Sequence, residues 1–533
     1  MSRSLALVRL LIGMGVLLAG PSTALPQQGA RSASNLQAVR EQRIGRLRQE
    51  VAELLRRPPL SKLRVGLEVL DADSGEVLLS HNADAPFNPA SNTKILTTAA
   101  AMKLLGADWS YRTLLLAGPE RPQAVASLAP EPSGPPPPGV LRADLFLQGS
   151  GDPSLNLSHL ARLARSLARA GIQRVEGDLI VDSQFRSLEN LDRGPGPALG
   201  GGALLLHRNV YTVRVSPSTE GQAASVTIEP RFPSLVLEAR VQTVRGKRAR
   251  IFIDHARHHG RLVVTVRGRI GARHGDLIER RRMPDGGLMA AVALAQALAD
   301  FGIELTGQVR VGSPPPGPLR VLAEHRGPLI EACRVSNKDS DNFVAEVILK
   351  TLGGVRFGQP GTLEKGVRAV GEWLRLMGLD PARVRIVNGS GLTHENRVRP
   401  VDLAHLLRML YHDLEVAPEF LQSLAIGGID GTIRHRFRGA SVGLVRAKTG
   451  TLSGVSTLSG YVGERQGVLV FAIMVEGFRW KRLEEVRHAQ VLLVESLLRF
   501  VRQGGETSVP PRLPATPELP EAAADAVDEA DPV

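Results

Sequence analysis

Ser91 and Lys94 are the residues of this chain with the most immediate chemical use. They stand three positions apart, and in a helix that separation puts a hydroxyl and an amine on one face. A serine hydroxyl is a weak nucleophile near neutral pH and needs a base. A lysine can be that base only when burial or neighbouring positive charge lowers its pKa. An arginine stays protonated and cannot. The chain carries 57 Arg against 9 Lys, yet position 94 is Lys. Alone the pair says little, since chance supplies about half such a match in a chain of this composition. Ser91 also reads as a helix N-cap, with Lys94 a solvated helix residue.

Two further clusters bear on it. Ser340-Asp341-Asn342 opens a helical run that continues Phe343-Val344-Ala345-Glu346. Its hydroxyl can relay a proton and its amide can hold a peptide group; the same residue types also suit plain N-capping. Lys448-Thr449-Gly450 reads as the end of a strand. A lysine and a hydroxyl there suit a carboxylate, and glycine lets a substrate backbone come close. The alternative is an exposed strand end. The three clusters in this order are far more specific than any one of them. The last two are 108 residues apart, enough for the helices of one domain, whereas the first two are 249 apart and leave room for an insert.

The longer motifs are Pro89-Ala90-Ser91-Asn92-Thr93-Lys94, Ser336-Asn337-Lys338-x-Ser340-Asp341-Asn342-x-x-Ala345-Glu346 and Arg446-Ala447-Lys448-Thr449-Gly450-Thr451-Leu452-Ser453-Gly454-Val455-Ser456. With them the chain resembles the serine D-alanyl-D-alanine carboxypeptidase/endopeptidase family, the class C low-molecular-mass penicillin-binding proteins. Secondary matches are Gly151-Asp152-Pro153, Gly177-Asp178-Leu179-Ile180-Val181-Asp182, Asn388-Gly389-Ser390-Gly391-Leu392 and Asp430-Gly431-Thr432. The resemblance spans about residues 36–500. It implies a transpeptidase-like domain interrupted after its first motif by two nested, mostly β domains. It implies Ser91 as the acylated nucleophile and Lys94 as its base. Ser340 would pass the proton to the leaving D-alanine, Asn342 would hold the peptide, and Lys448 would support Ser340. Thr449 would bind the terminal carboxylate beside Gly450. The backbone N–H groups of Ser91 and Thr451 would form the oxyanion hole. Asp182, in the insert, would meet the amine end of the stem peptide. The implied partners are peptidoglycan stem peptides and, as covalent inhibitors, β-lactam antibiotics. Two departures stand out. Asn388 occupies a place where the family commonly has Asp, and His394 one where a basic or aromatic residue often follows; both bear on side-chain preference more than on catalysis.

The elements that must position these residues can be read coarsely. Residues 36–56 have helical apolar spacing, ended by Arg57-Pro58-Pro59. Val65–Leu70 and Glu76–Ser80 flank the turn Asp73-Ser74-Gly75 and predict a hairpin. The run from Lys94 ends at Gly106 as a buried helix. From 113 to 313 strand-like segments dominate, which predicts an inserted, mostly β module. Helical texture returns over 328–334, 342–352, 363–377 and 400–414. Late strands at 442–448, 457–462 and 468–476 precede a closing helix over 484–502. The fold class is therefore α+β, one antiparallel sheet covered by helices with a large β insert. The segments are 25–112 and 314–502 for the penicillin-binding domain, 113–313 for the insert, and 503–533 for an acidic, Pro-rich tail expected to be disordered.

Residues 1–24 read as a secretory signal, with Arg3 and Arg9, an apolar run from Leu10 to Gly20, and small residues at Ser22 and Ala24 before the cut. Export, most simply to a periplasm, removes ATP- and nicotinamide-dependent chemistry. The lone Cys333 excludes an intrachain disulfide and any multi-cysteine metal or iron–sulfur site. The net charge of +13 comes with only 4% aromatics and no basic stretch interleaved with them, so no nucleic-acid partner is expected. Asp254-His255, His258 and His259 read as a polar hairpin turn, and no metal or cofactor is expected. Cys333 reads as a buried structural thiol, and Arg280-Arg281-Arg282 as a solvated face. A β-lactamase or esterase of the same acyl-serine class and a non-catalytic cell-wall scaffold remain as alternatives to the DD-peptidase.

Overall fold

The computed structural model describes residues 27–120, 139–182, 203–231, 235–258, 261–283, 286–465 and 467–503. The signal expected at 1–24, the polyproline run at 135–138, His259 and the tail after 503 lie outside the described residues.

A six-stranded antiparallel sheet carries the architecture, in the order Ala425–Ile426, Val445–Leu452, Val455–Glu464, Gly467–Glu476, Arg64–Asp71, Val77–His81. Strand Gly467–Glu476 is apolar at nearly every position, as a strand buried on both faces must be. The period of two then sorts its residues. Phe471, Ile473 and Val475 join a core with Val65, Leu67 and Val69. Val470, Ala472 and Met474 point the other way into a second core.

The first core is closed by two long helices, Gln27–Arg56 and Leu483–Arg502, through Ile44, Leu47 and Val51 and through Val486, Val494 and Leu497. The first helix starts nine residues before the expected 36. The second core belongs to helices Thr93–Leu105, Leu329–Lys338, Asn342–Phe357, Leu363–Leu376 and Pro400–His412. Ala99, Ala100 and Ala101 keep the first of these thin, so its neighbours approach closely and bury it on all sides.

Between the first and second of these helices lies a separate core. A five-stranded sheet runs Val309–Gly312, Leu179–Asp182, Leu145–Gly149, Ser110–Ala117, Arg320–Pro328. It takes in strands on both sides of positions 113 and 313. Leu145–Gly149 and Leu179–Asp182 pair in parallel, so the chain must cross over between them. Helix Leu157–Arg169 makes that crossover, and Gly286–Asp300 packs beside it. The strand-like texture concealed both helices, although strands still dominate the insert. Three three-stranded sheets complete it among the described residues. They centre on Val210–Ser216, on Arg261–Gly271 and, as a small one, on Arg174–Val175. The expected turn at 254–258 is instead part of strand Ala249–His258. There Tyr211 Oη lies 3.0 Å from His255 Nδ1. Cys333 is fully buried, and burial pushes its thiol pKa far up, which leaves it inert.

Phe471 is fully buried in the middle of the main sheet. Phe471→Ala should destabilise the protein by about 3–5 kcal/mol, seen as a lower urea midpoint; an unchanged midpoint would contradict this core assignment.

Candidate active site

Pro89-Ala90-Ser91-Asn92-Thr93-Lys94 is clamped before its chemistry begins. Ala90 has φ +44°, a conformation that a non-glycine residue holds only when its surroundings dictate it. Its N–H donates to Asn88 Oδ1 at 2.7 Å, and its carbonyl accepts from Thr93 Oγ1 at 2.8 Å. Thr457 Oγ1 donates to Pro89 O at 3.0 Å, and Asn92 Nδ2 to Ser459 Oγ at 2.7 Å. Both partners come from strand Val455–Glu464 of the main sheet. Ser91 therefore sits in a short 3-10 turn, Ala90–Asn92, that leads into helix Thr93–Leu105. The N-cap position belongs to Asn92, not Ser91.

Lys94 is fully buried. Its Nζ lies 2.9 Å from Ser91 Oγ, 2.7 Å from Asn342 Oδ1 and 2.7 Å from Ser390 O. Desolvation lowers its pKa to about 7, against the opposing pull of Asp341 and Glu346. The neutral amine has two N–H donors and one lone pair. Asn342 Oδ1 and Ser390 O can only accept, so they take the two donors. The lone pair is left for the Ser91 hydroxyl proton. Desolvation thus supplies the neutral amine, and the two fixed acceptors aim its lone pair at Ser91.

The carbonyl of Ser390 is held in turn. Glu346 accepts from Gly389 N at 3.1 Å and from Ser390 N at 2.9 Å. Gly391 has φ +80°, and a Cβ there would lie 1.8 Å from Ala90 O. Only glycine lets this loop pass so close to the nucleophile turn. Asn388, the departure from Asp, spends its side-chain oxygen inside the loop, accepting from Gly391 N at 3.1 Å and Asn396 Nδ2 at 3.2 Å.

Ser340 also has a left-handed φ, +59°. Lys448 Nζ donates to its Oγ at 2.9 Å and to Thr449 O at 2.9 Å. Lys448 is fully buried, and its pKa falls well below the ordinary lysine value through desolvation and the charges of Lys94 and Arg436. Lys448, Thr449 and Gly450 lie within strand Val445–Leu452 and are buried, so the motif is strand interior and not the strand end expected. Thr449 Oγ1 donates to Thr432 Oγ1 at 2.7 Å. A Cβ on Gly450 would lie 2.8 Å from Pro89 O and 2.9 Å from Ser91 N, so the strand and the nucleophile turn touch here. Thr451 is half-buried, and its hydroxyl accepts from Arg487 at 3.4 Å.

Ser91, Lys94, Ser340, Asn342 and Lys448 thus converge from three elements separated by up to 357 residues of chain. Asp182 ends strand Leu179–Asp182 in the insert, where its buried carboxylate accepts from Gln148 Nε2 at 2.8 Å.

Sequence reasoning passed over four contributors. Glu346, Ser390 and Thr432 lay inside quoted motifs without a function attached to them. Arg208 carried no signal at all. It belongs to three consecutive residues, His207, Arg208 and Asn209, with φ of 49°, 58° and 55°. From there its guanidinium reaches Asp341 Oδ2 at 2.5 Å. Asp341 in turn caps helix Asn342–Phe357 by accepting from Val344 N at 2.9 Å. The insert therefore grips the middle residue of the Ser340–Asn342 motif.

The profile of the D-Ala-D-Ala carboxypeptidase 3 (S13) family matches residues 47–497. A D-alanyl-D-alanine carboxypeptidase of Actinomadura sp. (strain R39) is 31% identical over 458 residues, which cover 82% of this chain and 82% of that protein. The D-alanyl-D-alanine carboxypeptidase DacB of Haemophilus influenzae is 24% identical over 439 residues, covering 79% of this chain and 87% of its own. The crystal structure of penicillin binding protein 4 (dacB) from Haemophilus influenzae aligns with a TM-score of 0.65 at 23% identity, covering 84% of this chain and 98% of the other. That likeness is one of fold.

If neutral Lys94 is the base, acylation of Ser91 by a penicillin should rise about tenfold per pH unit below pH 7 and level off above it. Glu346→Gln removes a charge that raises the Lys94 pKa, so the rising limb should move to lower pH. Stopped-flow acylation rates across pH 5–9 check both, and an unmoved limb would assign it to another group.

Proposed function

The chain belongs to the D-Ala-D-Ala carboxypeptidase 3 (S13) family, and from that premise we propose how its residues divide the reaction. It is a serine DD-peptidase, and its substrate is the terminal D-Ala-D-Ala of a peptidoglycan stem. Ser91 Oγ attacks the penultimate D-alanyl carbonyl while its proton passes to the Lys94 lone pair. The new Oγ–C bond forms as the carbonyl oxygen takes negative charge against the Ser91 and Thr451 backbone N–H groups. Each such donor is worth about 3 kcal/mol in the transition state. The C–N bond then breaks as Ser340 hands its proton to the departing D-alanine amine and takes in exchange the proton held by Lys94, which returns to the neutral amine. Lys448 keeps Ser340 oriented through the 2.9 Å bond. Asn342 holds the stem peptide from an exposed position while its oxygen fixes Lys94. Thr449, with Thr432 bonded to its hydroxyl, receives the terminal carboxylate. Water then hydrolyses the acyl-enzyme.

The observation that carries this reading is the Lys94 environment, in which two pure acceptors leave only a lone pair for Ser91. A D-alanyl cross-link presents the same acyl bond, so endopeptidase cleavage belongs to the same site. β-Lactams would acylate Ser91 for the same reason. We assign Asp182 to the amine end of the stem on family resemblance. Residues 25–112 and 314–502 form the catalytic unit and 113–313 the insert in this reading. The place of work is outside the cytoplasm, with the signal-like segment 1–24 in support. No helix of the described residues is long and apolar enough to cross a membrane.

Mass spectrometry after penicillin treatment tests the proposal. One adduct on Ser91 lasting minutes, with D-alanine released from a pentapeptide, is the expected result, and Ser91→Ala should lose both. Ser340→Ala should slow acylation by on the order of 100-fold or more. An adduct cleared within seconds would point to a β-lactamase instead, and no adduct to a scaffold.

A further inference from the structure

A second cluster of chemistry-bearing side chains lies around the five-stranded sheet, outside the catalytic set. Asp152 follows strand Leu145–Gly149, His159 is in the first turn of helix Leu157–Arg169, and His325 lies on strand Arg320–Pro328. One ligand atom from each falls within 4.8 Å of the other two. Asp152 is 1% exposed and His325 11%. His325 Nε2 lies 3.1 Å from Asp152 Oδ2, and the two imidazole centroids are 3.9 Å apart. His159 Nδ1 is buried and has no hydrogen-bond partner, an unpaired lone pair or donor that an interior rarely leaves unused.

We propose that Asp152, His159 and His325 bind a divalent transition-metal ion of the zinc class. The donor set is two imidazole nitrogens and one carboxylate oxygen, which suits zinc or cobalt and not calcium or magnesium. Donors about 2.1 Å from a tetrahedral ion stand roughly 3.4 Å apart. The Asp152–His325 pair is already near that, and the widest pair draws in by at most about 1.4 Å. The carboxylate is held in place, since Asp152 Oδ1 accepts from Ser154 N at 2.8 Å and Ser154 Oγ at 2.6 Å. Such outer contacts orient metal ligands. In the metal-free protein His325 donates its Nε2 proton to Asp152. On binding, that proton moves to Nδ1 or to solvent, and Nε2 turns its lone pair to the ion. Water completes the coordination.

The ion would lock helix Leu157–Arg169 to strand Arg320–Pro328, which runs directly into helix Leu329–Lys338 ahead of Ser340. This site is independent of the peptidase reading.

Cobalt titration of the untagged, EDTA-treated full chain tests it. One equivalent of Co²⁺ should give the visible ligand-field bands of a four- or five-coordinate ion, and Zn²⁺ should bleach them. Zn²⁺ should also raise the Tm by a few degrees. His159→Ala should abolish the bands and the Tm rise while penicillin acylation is kept, because His159 is no part of the catalytic set. His325→Ala should do the same to the metal; should it unfold, His325→Asn, which keeps a hydrogen-bond donor for Asp152, replaces it. No stoichiometric binding, or binding undiminished in His159→Ala, overturns the proposal.

Discussion

Two fully buried lysines set the terms for the rest of this structure. Lys94 and Lys448 lie close enough that the charge of one depresses the pKa of the other. Removing an ammonium from water is costly, and two together are costlier still. The fold meets that cost with fixed acceptors. Lys94 has Asn342, Ser390 and Ser91; Lys448 has Ser340 and Thr449. Those acceptors must be held in turn, which explains the second ring of contacts. Glu346 fixes the Ser390 loop, Thr457 and Ser459 fix the nucleophile turn, and Asp341 starts the helix that carries Asn342. The left-handed backbone at Ala90 and Ser340 fits the same logic, since strain concentrates where side chains must point in one direction.

Much of this was legible in the sequence because its signals are local. Ser91 and Lys94 lie one helical turn apart, and Asp341 and Asn342 adjoin. The β-hairpin at 73–75 and the helix ending at Gly106 follow from turn and cap chemistry. What escaped depends on contacts remote in the chain. Ser390 acts through a backbone carbonyl, which any residue type would offer, so its identity carried no message. Arg208 is one of 57 arginines and reaches Asp341 only because three left-handed residues aim it there. The helices Leu157–Arg169 and Gly286–Asp300 were hidden among short apolar runs that periodicity cannot sort between strand and helix. The histidines that drew attention at 255 and 258 proved to be strand residues. The pair that does approach, His159 and His325, is 166 residues apart in sequence.

The insert is thus more than a passenger beside the catalytic elements. Its Arg208 ion pair acts on the Ser340–Asn342 motif from outside the catalytic core. A partly exposed pair of this kind contributes little to overall stability, about 1 kcal/mol or less. Its effect is local, since Asp341 is flanked by the two residues whose side chains face the lysines.

The insert also leaves and re-enters through strands that pair antiparallel, Ser110 opposite Pro328 and Ala117 opposite Arg320. To the helices on either side, some two hundred residues behave as one short connection. The ordering entropy of closing so long a loop grows only logarithmically with its length, about 0.6 kcal/mol per doubling. Timing is another matter. A chain made from its N-terminus presents Ser91 long before Asn342 and Lys448 exist. Lys94 then has neither its amide acceptor nor its carbonyl acceptor, and remains an ordinary solvated ammonium. The nascent protein therefore lacks acyl-transfer capacity until Asn342 and the Lys448 strand have been made and are in place.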